Sequence, residues 1–308
     1  MKKSFIFITI LLVIVLGLLW FIKKDDQVDL PPNEKSAEQV PVDQVKISFL
    51  DIGQGDATLI EFPDSQQMLV DCSIDGRIIE ALGRVMDFYD HKIDYLLVTH
   101  PDLDHYGGCI DVLNRFDVGE IIYNDLNKEY DNFWLSFMGA IDSEVAQGAT
   151  YFIVDKEDSW DIAGAKLHFL YPDHPIDLDS RIPSMDKDTG ANDTSVVLKL
   201  SYQDQDVLLM GDAEIDLEDY LIKTYGEQLD VEVLKVGHHG SNSSSNSTFV
   251  SSTSPLYSVI SAGKNNKFGH PSPRVLKRLE RSESKILRTD LEGDIIININ
   301  NGELIVGQ

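Results

Sequence analysis

The chain has 308 residues, 43% hydrophobic and 9% aromatic, enough for one large domain or two small ones and too apolar for general disorder. Fifty-two Asp and Glu against 26 Lys and Arg give a formal charge of −26, which repels nucleic acid at long range and weighs against a stable nucleic-acid complex. Cys72 and Cys109 are the only cysteines and form no CxxC, which excludes a zinc ribbon or a disulfide framework. Two buried thiols are expected, one bridge being the alternative in an oxidising compartment.

Met1-Lys2-Lys3 precedes an uncharged apolar run over residues 4–22 (SFIFITILLVIVLGLLWFI), with Trp20 and Phe21 and then Lys23 and Lys24 where interfacial anchors belong. At about 1.5 Å per residue the run just spans a hydrocarbon core of roughly 30 Å. No small residues mark a cleavage site, so residues 1–24 read as an uncleaved single-pass anchor, with secretion after cleavage as the alternative. The short basic N-terminus favours export of the bulk of the chain. Residues 25–44 hold three prolines, many acids and no aromatic, and read as a disordered stalk. A globular domain over 45–308 follows.

The domain is strand-rich. Strands are expected at 46–50 and 58–62, flanking the Gly-punctuated turn Asp51-Ile52-Gly53-Gln54-Gly55-Asp56, then at 67–70, 93–98 and 120–123. Further strands fall at 151–154, 166–171, 195–201, 206–210, 231–236 and 256–261, with a closing hairpin at 294–298 and 303–306. Helices are expected at 78–89, 111–116, 216–225 and 274–281, a helical excursion within 124–149, and a long acidic loop over 173–191. Residues 241–254, rich in Ser and Asn, are the low-complexity segment of the domain. Strands in two sets with helices between predict a two-sheet sandwich covered by helices.

Thr99-His100-Pro101-Asp102-Leu103-Asp104-His105, with Gly107 and Gly108 behind it, follows the apolar run 93–98. Carboxylates and imidazoles at that density repel and must shed water unless a cation holds them, so the loop reads as a metal site rather than a solvated turn. Nitrogen and oxygen ligands suit Zn²⁺ or Mn²⁺. Potential ligands recur after strands: Asp71, Asp212, and His238 with His239. Each alone has an ordinary reading, as a helix cap, a turn residue or a satisfied loop histidine, but strand ends share one edge of a sheet.

His100-Pro101-Asp102-Leu103-Asp104-His105 resembles the signature of the metallo-β-lactamase fold in the H-x-D-x-D-H form of ComEC-type DNA-uptake hydrolase domains. The likeness runs from about residue 45 to 306, through LDIGQGDATLI, LVDCS, VTHPDLDHYGG, NDTSVVLKL, LLMGDAE, LKVGHHGS and SAGKNNKFGHPSPRVL. The resemblance implies an α/β, αββα-sandwich hydrolase with two divalent metal ions. His100 and Asp102 would hold one ion, Asp104, His105 and His238 the other, and Asp212 would bridge them, with Asp71 orienting the loop from behind. Which of His238 and His239 is the ligand stays open. The third ligand of the first ion is ordinarily a His; here Asn192-Asp193 stands in its place, so Asp193 would serve and an oxygen-rich site favours Mn²⁺ or a mixed pair. The implied reaction is hydrolysis of a phosphodiester, as a nuclease or on another phosphate ester, outside the membrane. Asp104, His239 and His270 are the candidate catalytic residues, and Ser241, Asn242 and Lys264 would contact substrate phosphate. Gln54 and Asp56 either face the site or serve the turn. A phosphodiesterase of a cell-envelope polymer or nucleotide, and a catalytically idle module of an uptake apparatus, are the alternatives.

Overall fold

A computed structural model of the chain describes residues 43–126, 131–176, 182 and 190–307. The expected anchor and all but the last two residues of the stalk lie outside them, and among the described residues no helix is long and apolar enough to cross a membrane.

The first half of the domain contributes β1 Gln44–Phe49, β2 Thr58–Glu61, β3 Gln67–Val70, β4 Lys92–Leu97, β5 Asp117–Tyr123 and β6 Thr150–Ile153. The second contributes β7 Asp158–Ile162, β8 Ala165–Tyr171, β9 Val197–Tyr202, β10 Gln205–Leu209, β11 Val233–Lys235, β12 Tyr257–Ile260 and β13 Lys285–Arg288. The closing hairpin, β14 Ile295–Asn300 and β15 Glu303–Gly307, returns to β1. One sheet therefore runs β15-β14-β1-β2-β3-β4-β5-β6 and the other β13-β12-β11-β10-β9-β8-β7. Each is mixed, antiparallel on one side, with β3 to β6 parallel in the first and β10 to β13 parallel in the second.

Alternation along the strands decides the layering. Val45, Ile47 and Phe49 of β1 and Ile295, Ile297 and Ile299 of β14 face a buried apolar layer that also receives Leu167, Phe169, Leu198 and Leu200 from the second sheet. The outer face of the first sheet packs under α1 Arg77–Val85, α3 Cys109–Leu113 and α4 Asn132–Gln147, and α2 Leu103–Tyr106 precedes α3. The second sheet packs under α5 Ile215–Tyr225, α6 Ser247–Thr253 and α7 Pro273–Arg281. The result is helix, sheet, sheet, helix.

Several expectations are corrected. The helix expected at 78–89 stops at Val85, and Phe88 and Tyr89 stand exposed beyond it. The excursion at 124–149 becomes α4, started by the Asp131 carboxylate accepting from Phe133 N–H and packed through Trp134, Phe137 and Ile141 at helical spacing. Strands β7 and β13 went unread because their few apolar residues sit among charges, and the Ser/Asn-rich segment carries α6, capped by Asn246. Within 173–191, residues 177–181 and 183–189 lie outside the described residues. Cys72 and Cys109 are joined in a disulfide, not held as thiols. Cys72 follows β3 and Cys109 opens α3, so the bridge ties together the two loops that carry Asp71 and His105; Cys72 N–H also donates to the His105 carbonyl at 2.7 Å.

Candidate metal centre

The parallel strands of both sheets end at one place. Asp71 follows β3, Thr99 to His105 follow β4, Asp212 follows β10, the Gly237–Gly240 turn follows β11 and Ser261 follows β12. Side chains at the carboxyl ends of neighbouring parallel strands necessarily share a crevice. Pro101 and Asp102 break the strand, and one turn of helix, α2, presents Asp104 and His105 where the sequence predicts a loop. His238 and His239 both hold positive φ, 46° and 51°, a conformation rare for non-glycine residues and typical of sites where side-chain placement overrides backbone preference. Glycine is required at Gly55 (φ 102°), where a Cβ would lie 2.1 Å from the Asp104 carbonyl, and at Gly240 (φ 76°), where one would lie 2.7 Å from Pro271 Cβ.

Asp212 sits at the centre. Its Oδ1 is 3.3 Å from His105 Nε2, and its Oδ2 is 3.6 Å from His239 Nε2, 3.9 Å from His238 Nε2 and 4.0 Å from His100 Nε2. His100 Nε2 is 3.5 Å from Asp102, and His239 Nε2 is 3.5 Å from Asp104. These separations are long for hydrogen bonds, but two atoms each about 2.1 Å from a shared tetrahedral ion stand about 3.4 Å apart. The Nε2 atoms of His100, His105 and His239 and Oδ1 of Asp212 are buried without a hydrogen-bond partner. A folded chain leaves such orphans rarely, and four aimed at one another fit a cation. His100, His105 and Asp212 form one group with mutually close ligand atoms, and Asp104, His105 and His239 another.

The opposite nitrogen of each ring is occupied, which turns Nε2 inward. His105 Nδ1 is 2.7 Å from Asp71 Oδ2, and that carboxylate also accepts from Thr99 N–H and Thr99 Oγ1, both at 2.8 Å. His100 Nδ1 lies 3.1 Å from Thr99 Oγ1 and 3.3 Å from Ser195 Oγ, which itself accepts from Asp212 N–H at 2.9 Å. His239 Nδ1 donates to the Ser261 carbonyl at 3.2 Å and faces Asp56 Oδ1 at 3.3 Å. Asp56, on the Gly-rich turn, is in turn ion-paired with Lys235 at 2.6 Å, both almost fully buried. Lys235 was passed over in the sequence, where a lysine inside the apolar run VEVLKV was its signal.

His238 and His239, between which the sequence leaves the ligand role open, both reach Asp212 but have different surroundings. His239 faces Asp104 and Asp212, whereas His238 is partly exposed, with Nδ1 on Glu214 Oε1 at 2.9 Å and its ring 5.6 Å from that of His270. Asp193 is not brought to the cluster: its Oδ1 accepts from Glu214 N–H at 2.7 Å at the start of α5. Asn192 instead donates to Glu214 at 3.1 Å. Ser241 is buried and bonded to Ser243 at 2.9 Å, so its hydroxyl is spent within the turn, while Asn242 and Lys264 are exposed and Gln54 packs by Gly263. Ser243 hydroxyl donates to Glu214 at 2.7 Å. Glu214 and Ser243 were also unread; the acid's place two residues after Asp212 was the available sign.

The protein charges respond to one another. Burial disfavours a charged His105, but Asp212 and Asp71 outweigh it and hold its pKa well above the usual imidazole value; His239, between Asp212, Asp56 and Asp104, is pushed up to about 10. Burial would raise Asp212, but the surrounding imidazoles pull it well below the carboxylate range. The crevice thus demands positive charge, which protons supply or divalent cations can. His238 and His270 move apart: burial opposes charge on both, but Glu214 and Asp212 raise His238 while the neighbouring imidazoles leave His270 lowered.

Two packed sheets with helices outside and a His/Asp centre at the strand ends define the class of metal-binding αββα proteins. The chain belongs to the metallo-β-lactamase superfamily, whose family model matches residues 50–264. It is similar to competence protein ComA of Neisseria gonorrhoeae, 28% identical over 269 residues, covering 86% of this chain and 34% of that protein. It is also similar to ComE operon protein 3 of Bacillus subtilis, 26% identical, covering 83% and 33%. The chain thus spans about a third of the length of these curated relatives. Among solved structures, a variant of CmlA β-hydroxylase matches with a TM-score of 0.52 at 12% identity, over 82% of this chain and 53% of that one, a likeness of fold alone.

Proposed function

We propose that this chain is a metal-dependent phosphodiesterase, of nuclease type, displayed outside the membrane. The observation that carries the reading is the set of unbonded, inward-facing Nε2 atoms of His100, His105 and His239 around Asp212. Asp104, His105, His239 and Asp212 would hold one ion, and His100, Asp102 and Asp212 the other, making Asp212 the bridge. With two imidazoles in the first group and one in the second, the second is richer in oxygen, which favours Mn²⁺ or a mixed pair there. When bound, such a pair lowers the pKa of water and neutralises charge on a phosphoryl group.

The chain's own residues then divide the remaining work. Asp71, Thr99, Ser261 and the Asp56–Lys235 pair fix the ligand rings so that no reorganisation is needed during reaction. His238, partly exposed and with its pKa raised by Glu214 and Asp212, is placed to donate a hydrogen bond to a phosphoryl oxygen or a proton to the leaving oxygen. His270, its pKa lowered by burial and by the neighbouring imidazoles, lies beside it as a second imidazole able to accept a proton released in the hydrolysis. The ligand role thus falls to His239 and the catalytic role to His238. Display outside the membrane is supported by the Cys72–Cys109 disulfide and the apolar run at 4–22, and the competence-named relatives support DNA as the phosphodiester.

The test is hydrolysis of single-stranded and duplex DNA, a nucleotide diester and a polyol-phosphate polymer by chelator-treated protein resupplied with Zn²⁺ or Mn²⁺. Cleavage of at least one diester should require metal, and Asp212→Ala should lose about a hundredfold or more. No cleavage under any metal, or an Asp212→Ala protein at the wild-type rate, would overturn the reading. Preference for the polymer would move the function to the cell envelope.

A further inference from the structure

Negative charge is not spread evenly over the chain. Residues 264–281 carry six cations, Lys264, Lys267, Arg274, Lys277, Arg278 and Arg281, against the single acid Glu280, in a chain with twice as many acids as bases. All but Arg278, which donates to the Ser244 and Ser245 carbonyls at 3.1 Å, are exposed. The segment begins at the metal centre. Gly263 packs on the Gly53-Gln54 turn, Ser272 N–H donates to the Gly240 carbonyl at 2.8 Å, and the His270 ring lies 5.6 Å from that of His238.

At the tip of this loop Phe268 is 56% exposed, a large aromatic left in water beside the centre. The loop is built around Asn266, not around the phenyl ring. Asn266 Nδ2 donates to the carbonyls of Gly263 at 3.0 Å and His270 at 2.5 Å, and its Oδ1 accepts from the N–H groups of Phe268 at 3.2 Å and His270 at 3.0 Å. The Phe268 ring is nearly parallel to His270, 13° between planes with centroids 5.9 Å apart, and Lys267 Nζ is 5.0 Å from its centroid. Asp212, His238, His270, Phe268 and Lys267 therefore form a continuous series from the metal centre to the surface.

We propose that Phe268 is a stacking platform for a base of an unpaired nucleic-acid strand, with Lys264 and Lys267 holding its flanking phosphates, so that the next diester is delivered to the centre. This rests on the phosphodiesterase reading and names its substrate as single-stranded. A flat, exposed ring flanked by cations matches the alternation of base and phosphate; a polyol phosphate offers nothing to the ring, and a duplex has its bases stacked on one another. The local cations also answer how so acidic a chain holds a polyanion: contact is confined to one strip, and binding is weak and salt-sensitive.

The experiment measures binding by full-length, chelator-treated protein of a labelled single strand, the same strand made abasic, and the corresponding duplex. The single strand should bind best. Phe268→Ala should weaken it by about five- to a hundredfold and bring its affinity towards that of the abasic strand, while Phe268→Trp keeps the preference. Lys264→Gln with Lys267→Gln should weaken both strands and reduce the slope of log affinity against log salt by about 1.4. Equal losses on base-bearing and abasic strands in Phe268→Ala, no loss, or tighter binding of duplex would overturn the proposal. The two readings fail separately: with Mn²⁺ or Zn²⁺ restored, wild-type cleavage of the abasic strand alongside an indifferent Phe268→Ala rejects only the platform, whereas no cleavage of any strand, of the nucleotide diester or of the polyol-phosphate polymer rejects the phosphodiesterase.

Discussion

Replacing Lys235 with Met keeps the aliphatic stem in β11 and removes only the ammonium. Lys235 and Asp56 are 2% and 4% exposed, and their atoms are 2.6 Å apart, so the change strands a carboxylate where water cannot reach it. Breaking a buried pair by removing one partner costs about 3–5 kcal/mol. The lower end is expected, because His239 Nδ1 at 3.3 Å remains as a partial counter-charge. Asp56 would also orient the His239 ring less firmly, and loss of such a supporting group weakens metal affinity by about 10- to 100-fold. Urea unfolding of the metal-free protein, followed by Trp134 and Trp160 fluorescence, reads the first effect, and a chelator competition reads the second. Lys235→Met combined with Asp56→Asn, which removes both charges of the pair, should recover much of the stability but not the metal affinity. The sign with pH is fixed. Burial raises the Asp56 pKa, but Lys235 and His239 bring it well below the ordinary aspartate value, so the pair's stabilisation is whole above the unfolded carboxylate's pKa and fades as pH falls through the lower folded value. A Lys235→Met cost below about 1 kcal/mol, the range of exposed ion pairs, would refute the reasoning.

Removing the Cys72–Cys109 bridge by double Ala substitution frees a separation of 37 residues in the unfolded chain and should cost about 4 kcal/mol, measured by urea unfolding with and without reductant. His239→Ala should release the ion held with Asp104 and His105, seen as loss of co-purified metal, whereas His238→Ala should keep that ion and lose turnover; metal retained by His239→Ala would reverse the assignment. Glu218, buried and accepting from the N–H groups of Ser245 and Asn246, is pushed up to about 8 by burial. The folded chain then binds a proton that the unfolded chain releases near 4.5, so this residue's contribution declines as pH rises from about 4.5 to about 8. Wild type minus Glu218→Gln stability should narrow across that window, and a gap independent of pH would contradict it.

Local pattern was sufficient for much of this molecule. The apolar runs before His100, Asp212 and His238 are short and bounded by Gly or Pro, so strand ends bearing ligands could be read directly, and the order of motifs carried the family. Elements whose burial is thin left little pattern: β7 is an edge strand of the second sheet, and β13 holds only Ile286 and Leu287 between charged ends. What the tertiary structure alone decided is which atom of each residue faces inward. His238 and His239 are neighbours in sequence, and only their left-handed backbone, with Glu214 on one ring and Ser261 and Asp56 on the other, turns His239 to Asp104 and His238 to Glu214 at the mouth of the crevice. Asp193 is the ligand expected for the first ion, yet the free N–H at the start of α5 claims its carboxylate. Lys235 comes from the second sheet and Asp56 from a turn of the first, 179 residues apart, and no sequence period couples them. Cys72 and Cys109 likewise become a bridge because β3 and α3 are brought together by packing. Strand ends are properties of a segment, but the pairing of charges across a crevice depends on where two sheets close on each other.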